Sequence, residues 1–323
     1  MDYTIRLGGR HDKHGPRNSN EEEPMETAND RNSAEALDPA RIGEAVYRAV
    51  RECATTLRPD FKTALESAGA ARAAACDKAR DAHIIGQILE NARIGERDGA
   101  PICQDTGTVW VCLEVGEELC IPGNVFSRVD DAVARAYADG KLRMSVLADA
   151  AFNRVNTKTN APAFCEIKLV EGAGATLHVL LKGGGSDNAS RVVMLAPGAG
   201  LAGVRDVVLE CVREKAANAC PPLLVGVGIG ATFDKVAGLA KHALLRPVGS
   251  PAASEEHAAL EAELLDAVNA LGIGPAALGG TPTALGVHVE TAPCHIAALP
   301  VAVNMGCCAM RSVSIDLLGK SPS

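Results

Sequence analysis

The chain has 323 residues, enough for one large domain or two ordinary ones, since domains usually run about 100–200 residues. Hydrophobic residues make up 47% and charged residues 22%, a composition that fills a core and excludes disordered, collagenous and coiled-coil chains. A formal charge of −8 with one Trp, three Tyr and five Phe argues against nucleic-acid or anionic-lipid binding by charge or stacking.

Residues 1–37 carry five basic and eight acidic side chains, with the run Glu21-Glu22-Glu23. They bury too little apolar surface to offset their ordering entropy and read as a disordered tail. No apolar run reaches the length of a membrane span, and no apolar stretch follows a basic start. The expectation is a soluble, cytoplasmic protein without membrane or nucleic-acid partners.

Folding is expected from Asp38-Pro39, an N-cap followed by proline in the first turn, with Ile42, Val46 and Val50 on one helical face. A second, Ala-rich helical region carries Ile84, Ile88 and Leu89 and ends near Gly95. Val109, Val111, Leu113 and Val115 alternate like a half-buried strand. Asn124 is expected to cap a helix bearing Val125, Val129, Val133 and Ala136. Ile167 and Leu169, then Leu177, Val179 and Leu181, flank Gly172-Ala173-Gly174 and predict a hairpin.

Leu201, Val204, Val208 and Cys211 mark a helix, Leu223 to Ile229 a strand, and Thr232 to Leu245 another helix. Ser250-Pro251 is expected to open a helix buried through Leu260, Leu264, Val268 and Leu271. Strands near Leu285–Thr291 and Pro300–Val303 complete the set. The fold class is α+β: short mixed sheets surrounded by helices, in one large domain over residues 38–323.

Eleven cysteines in a chain without an export signal read mostly as small buried hydrophobes. Cys103, Cys220 and Cys307 differ, because each stands in a loop at an element boundary rather than on an apolar stripe. No local C-x-x-C pair links them. Three thiolates converging from distant loops would bind zinc or a cubane iron–sulfur cluster, leaving one coordination position open.

Gln104 and Asp105 adjoin Cys103, and Arg143 has the planar fork that clamps a carboxylate, although a surface cation is the plainer reading. His295 lies between two apolar strands, where a histidine is more often structural. Lys182-Gly183-Gly184-Gly185-Ser186 lets backbone N–H groups approach an anion, or is simply a tight turn. Gly226-Val227-Gly228-Ile229-Gly230-Ala231 matches G-x-G-x-x-A, but no acidic strand end follows and the βαβ repetition is missing, so it does not predict a nucleotide site.

Together, PICQDTGT (101–108), LRMSV (142–146), NTKTNAPAF (156–164), KGGGSDN (182–188), the stretch 219–250 and the stretch 272–311 resemble the alpha subunit, or N-terminal catalytic domain, of iron–sulfur hydro-lyases of the class I fumarase and tartrate dehydratase type. The resemblance implies a [4Fe-4S] cluster on Cys103, Cys220 and Cys307. It implies substrate contacts at Gln104, Arg143, Lys182, Gly183 and Gly184, and catalytic roles for Asp105 and His295. Two positions depart from the pattern: Cys308 beside the third cysteine, and Lys158 where glycine is more usual.

By the same resemblance a separate beta subunit, in a heterotetramer, supplies the proton-abstracting residue, so the lone chain is expected to bind a cluster but turn over little substrate. Fumarate/malate is the expected substrate pair, with L(+)-tartrate or mesaconate as alternatives. A non-catalytic zinc protein is the rival from another class.

Overall fold

In the computed structural model the described residues are 37–75 and 79–319. Of the expected tail over residues 1–37, residues 1–36 lie outside them, as does Cys76. Leu37 is already fully buried against the first core, so the packed chain starts one residue before the expected boundary.

Asp38 accepts the Arg41 amide at 3.0 Å, and Pro39 opens helix α1 (Pro39–Thr55), whose Ile42, Val46 and Val50 are buried. The single Ala-rich helix expected next is two helices, α2 (Pro59–Ala75) and α3 (Arg80–Asp98). Helix α3 runs past Gly95 and stops at Gly99, whose φ of 63° is the left-handed cap that glycine adopts freely. Gly95 is instead a packing point: a Cβ there would lie 2.5 Å from Ile102 Cγ2.

Strand β1 (Thr108–Gly116) is buried on both faces, not one. Val109, Val111, Leu113 and Val115 face α1 and helix α4 (Val129–Asp139). Trp110 and Cys112 face the other way, against Leu224, Leu244 and the apolar sides of α2 and α3. Helix α4 begins at Val129; Asn124 caps only the preceding turn, accepting the Phe126 amide.

The expected hairpin does not form. Strands β2 (Phe164–Val170) and β3 (Ala175–Lys182) lie on opposite sides of β1, parallel and antiparallel to it respectively. Their short link crosses the end of β1 at Gly116, where a Cβ would stand 2.1 Å from the Gly172 carbonyl oxygen. Strand β8 (Ser312–Asp316), which the sequence pattern did not predict, completes the first sheet in the order β2-β1-β3-β8.

A single helical turn, α5 (Gly184–Asp187), leads to the second sheet. Its strands β4 (Arg191–Leu195), β5 (Leu223–Ala231), β6 (Ala284–Cys294) and β7 (Leu299–Gly306) order as β4-β7-β5-β6. Helices α6 (Gly200–Lys215) and α8 (Glu255–Ala270) bury Val204, Val208, Leu264 and Val268 against one face. Ser254, not Ser250, caps α8.

Helix α7 (Phe233–Ala243) covers the other face and comes unusually close. A Cβ on Gly226 would stand 2.1 Å from the Ala240 carbonyl oxygen, and one on Gly228 2.4 Å from that of Val236. The glycine run therefore serves helix–strand packing, which accounts for it without a nucleotide. The class is α+β in one domain, with small mixed sheets flanked by helices, as the sequence predicts.

Candidate active site

Three loops meet at the end of the second sheet where β5 begins. Ile102 is pinned before Cys103 by two bonds: its amide donates to Ala54 O at 2.9 Å, and its carbonyl accepts from Asn91 Nδ2 at 2.8 Å. Cys220 precedes β5 with φ 56° and ψ 74°, a left-handed conformation that disfavours a side chain. Such backbone persists where the surroundings over-determine it. Here the Cys308 amide donates to the Cys220 carbonyl at 2.9 Å. Cys307 directly follows Gly306, which pairs with Leu224 at the start of β5.

The thiols are within electrostatic reach of one another. Burial, followed by the charges of Cys307 and Cys103, pushes the Cys220 thiol up. Burial likewise pushes Cys308 well above its ordinary value, aided by Cys307, Cys220 and Cys103. Every cysteine among the described residues is free. Cys308 follows Cys307, and its backbone N–H ties that loop to the Cys220 loop.

Asp105 organises the mouth of this site. Its Oδ1 is 3.1 Å from Arg143 Nη2 and accepts the Gly107 amide at 3.1 Å. Its Oδ2 accepts the Gly184 amide at 2.8 Å. Gly183 is closely bounded: a Cβ there would meet Asp105 Oδ2 at 3.2 Å and Arg311 Nη2 at 3.3 Å. Gln104 stands next to Cys103, with its Oε1 3.5 Å from the Cys103 sulfur. Arg143 leaves about half of its side chain exposed, 55%, so it is free to meet an anion arriving from outside.

Lys182 differs from the expectation that it touches substrate. It is buried, and its ammonium donates to the Met305 carbonyl and to Ser186 Oγ. Burial pushes its pKa down to about 8. The residue braces the strand leading to Cys307 from beneath.

His295 is not gathered with the others. Cys220 and Cys307 flank the beginning of β5, whereas Ala231 at its end pairs with Cys294. The strand rise puts these ends roughly 25 Å apart. Within this chain His295 stays exposed, and its ring accepts only the Ala297 amide among the described contacts.

Four supporting residues escaped the sequence reading. Arg311 is buried and donates to the Asp105 carbonyl at 2.7 Å. Tyr137 OH donates to the Gly107 carbonyl at 2.8 Å, and burial raises its pKa to about 12. Asn160 Nδ2 donates to the same carbonyl at 3.0 Å while its Oδ1 accepts the Ser145 amide at 2.7 Å, coupling the Asp105 loop to the Arg143 segment. Asn304 donates to Ser190 Oγ, and its Oδ1 is buried without a partner. Asn160 stands in the NTKTN stretch and Asn304 and Arg311 in the stretch 272–311, whereas Tyr137 lies in none of the stretches that carry the resemblance.

Residues 43–316 match the family model described as Fumarate hydratase (Fumerase). The chain belongs to that family. Its relatives include a Methanocaldococcus jannaschii protein named "Putative L(+)-tartrate dehydratase subunit alpha", 37% identical over 278 residues, 84% of this chain and 95% of the relative. The L(+)-tartrate dehydratase subunit alpha of Escherichia coli strain K12 is 37% identical over 215 residues, 65% of this chain and 70% of the relative. This member of the fumarate hydratase family is a hydro-lyase. Among the described residues no helix is long and apolar enough to cross a membrane.

Proposed function

We propose that this chain is the cluster-binding alpha subunit of an iron–sulfur hydro-lyase, adding water to fumarate to form malate and reversing that reaction. The observation that carries the reading is the meeting of three free loop thiols beside the Asp105–Arg143 pair. The donor set fits the group: three soft sulfur ligands on separate loops, one held in left-handed backbone, with no disulfide to compete. Cys103, Cys220 and Cys307 would hold a [4Fe-4S] cluster. Bound there, it supplies one iron without a cysteine ligand, a Lewis acid for a hydroxyl group.

The chain's own residues do the rest. Arg143 takes one carboxylate of the dianion through paired N–H donors. Asp105 sets the direction of that guanidinium and fixes the Gly183–Gly184 turn against which substrate lies. Gln104 offers an amide beside the first cysteine. Lys182 and Arg311 place positive charge beneath the site, favouring an anionic substrate over a neutral one. The proton-abstracting group comes from a separate beta subunit, and the two chains form a heterotetramer in the cytoplasm. His295 stands outside this constellation in a single chain.

The names of the relatives favour a second substrate reading, L(+)-tartrate dehydration. The test is co-expression with the beta subunit under anaerobic conditions and assay of both reactions. Fumarate hydration exceeding tartrate dehydration by tenfold or more in kcat/KM, roughly 1.4 kcal/mol at the barrier, supports the first reading. The opposite ratio assigns tartrate. Absence of both activities in a cluster-loaded complex removes the function. Stoichiometric zinc without acid-labile sulfide would instead support a zinc protein.

A further inference from the structure

A second group of metal-ligating side chains lies between the two sheets. Cys112 on β1 stands directly across from Glu166 on β2 in the parallel register. His242, near the end of α7, reaches both: its Nε2 is 2.6 Å from Glu166 Oε1 and 4.0 Å from Cys112 Sγ. One ligand atom from each residue falls within 4.8 Å of the other two. The imidazole is oriented by Trp110, whose ring meets it edge-on at 5.3 Å between centroids and 81° between planes.

A second imidazole stands beside this group. His178 on β3 is the other cross-strand neighbour of Cys112 and is buried. Its Nδ1 is engaged by Ser314 Oγ at 2.8 Å, and its Nε2 faces Glu114 Oε2 at 3.5 Å. Glu166, His178 and His242 line one cavity of about 710 Å³.

We propose that Cys112, Glu166 and His242 form a zinc site separate from the three loop cysteines, with its fourth position open to this cavity beside His178. The chemistry of the set selects the ion. One thiolate, one imidazole and one carboxylate match borderline-soft Zn²⁺, whereas Mg²⁺ and Ca²⁺ take oxygen alone. Tetrahedral zinc separates its ligand atoms by about 3.3–3.6 Å, given its usual bond lengths. The observed 2.6 and 4.0 Å bracket that range: a rotation of the half-exposed Glu166 side chain lengthens the first, and a shift of the imidazole toward Cys112 by about half an ångström shortens the second. Binding takes Cys112 as thiolate and releases its proton to solvent. The ion would tie β1 and β2 of the first sheet to α7 on the second.

The test is titration of the full-length, chelator-stripped chain with Co²⁺ and then Zn²⁺, anaerobically. It is run on the unmodified chain and on a Cys103→Ser/Cys220→Ser/Cys307→Ser variant, which removes the three loop thiols proposed for the cluster. One tetrahedral Co²⁺ with a single-thiolate charge-transfer band, displaced by one Zn²⁺, is expected in the triple variant. Adding Glu166→Gln or His242→Gln should weaken binding at least about tenfold, the smallest loss typical even of outer-sphere partners. Adding Cys112→Ser should abolish the charge-transfer band. If circular dichroism shows the triple variant unfolded, the unmodified chain decides, and one of its equivalents must bind at least about tenfold more weakly in the near-isosteric Glu166→Gln variant. No tetrahedral Co²⁺ in the folded triple variant, or a band unchanged by Cys112→Ser, overturns the proposal, as does equal affinity of every equivalent with and without Glu166→Gln.

Discussion

Asp105 Oδ1 lies 3.1 Å from Arg143 Nη2, and the same carboxylate accepts the Gly184 amide through Oδ2 at 2.8 Å. One side chain therefore joins the loop after Cys103, the arginine segment and the glycine turn after β3. On the proposed function, Asp105 aims these donors at substrate. Its negative charge matters to Arg143, and its shape matters to the turn.

Asp105→Asn separates these two effects. The amide oxygen can still accept one backbone N–H, so the fold should survive by circular dichroism. Arg143 loses its charged partner, and kcat/KM of the alpha–beta complex should fall by about a hundredfold, in the range typical for a lost charge-stabilising contact. An unchanged kcat/KM would remove Asp105 from the site.

Lys182→Met tests the buried brace. The methionine fills similar volume but leaves the Met305 carbonyl and Ser186 Oγ without their donor. Cluster content per chain should fall at least twofold after anaerobic reconstitution, with more rapid loss in air. Full and equally durable loading would show that the ammonium does not support the Cys307 loop.

Gly226→Ala should destabilise the chain by about 3 kcal/mol, because backbone cannot retreat as a side chain can. The measurement is the denaturant midpoint at constant m-value. Calorimetric titration of the unmodified chain with NAD should show no saturable binding, as expected if the glycines serve α7.

The buried Arg58 guanidinium grips Asp60 at both oxygens, at 2.6 and 2.7 Å, and also donates to Leu244 O at 2.7 Å. Burial alone would raise the Asp60 carboxyl, but Arg58 and the Val248 amide outweigh it and hold the carboxyl below its ordinary 3.8. A depressed carboxyl contributes stability that is fully present above pH 3.8 and lost as pH falls through the folded value. Asp60→Asn should therefore cost about 3 kcal/mol at pH 7, where it strands a buried charge. The gap to the unmodified chain should narrow below pH 3.8. A constant gap from pH 7 to pH 3 would contradict this.

Local signals read correctly where the physics is local. Asp38, Pro39 and the spacing of Ile42, Val46 and Val50 specify α1 within a few turns of chain. Gly172-Ala173-Gly174 misled because a turn signal reports that the chain reverses, not which strand enters between its arms. Here β1 enters, and it comes from more than fifty residues earlier in the chain. The alternation of Val109 to Val115 likewise concealed Trp110 and Cys112, whose burial depends on α2, α3 and Leu224.

At the site, the loop placement of Cys103, Cys220 and Cys307 was legible, and so was their neighbour Asp105. Arg311 was not, since one arginine before an apolar strand carries no periodic signal. Its burial beneath Asp105 exists only after β8 pairs with β3. The distance of His295 from the cysteines was equally invisible, because it follows from which ends of β5, β6 and β7 align.

The most direct measurement is anaerobic iron and sulfide analysis, with electron paramagnetic resonance after brief oxidation. It compares the unmodified chain with Cys103→Ser, Cys220→Ser, Cys307→Ser and Cys308→Ser. The account predicts about four irons and a three-iron signal on oxidation, both lost in the first three variants and kept in the fourth. Failure of the unmodified chain to take up a cluster, or retention of the cluster in all four variants, would contradict it.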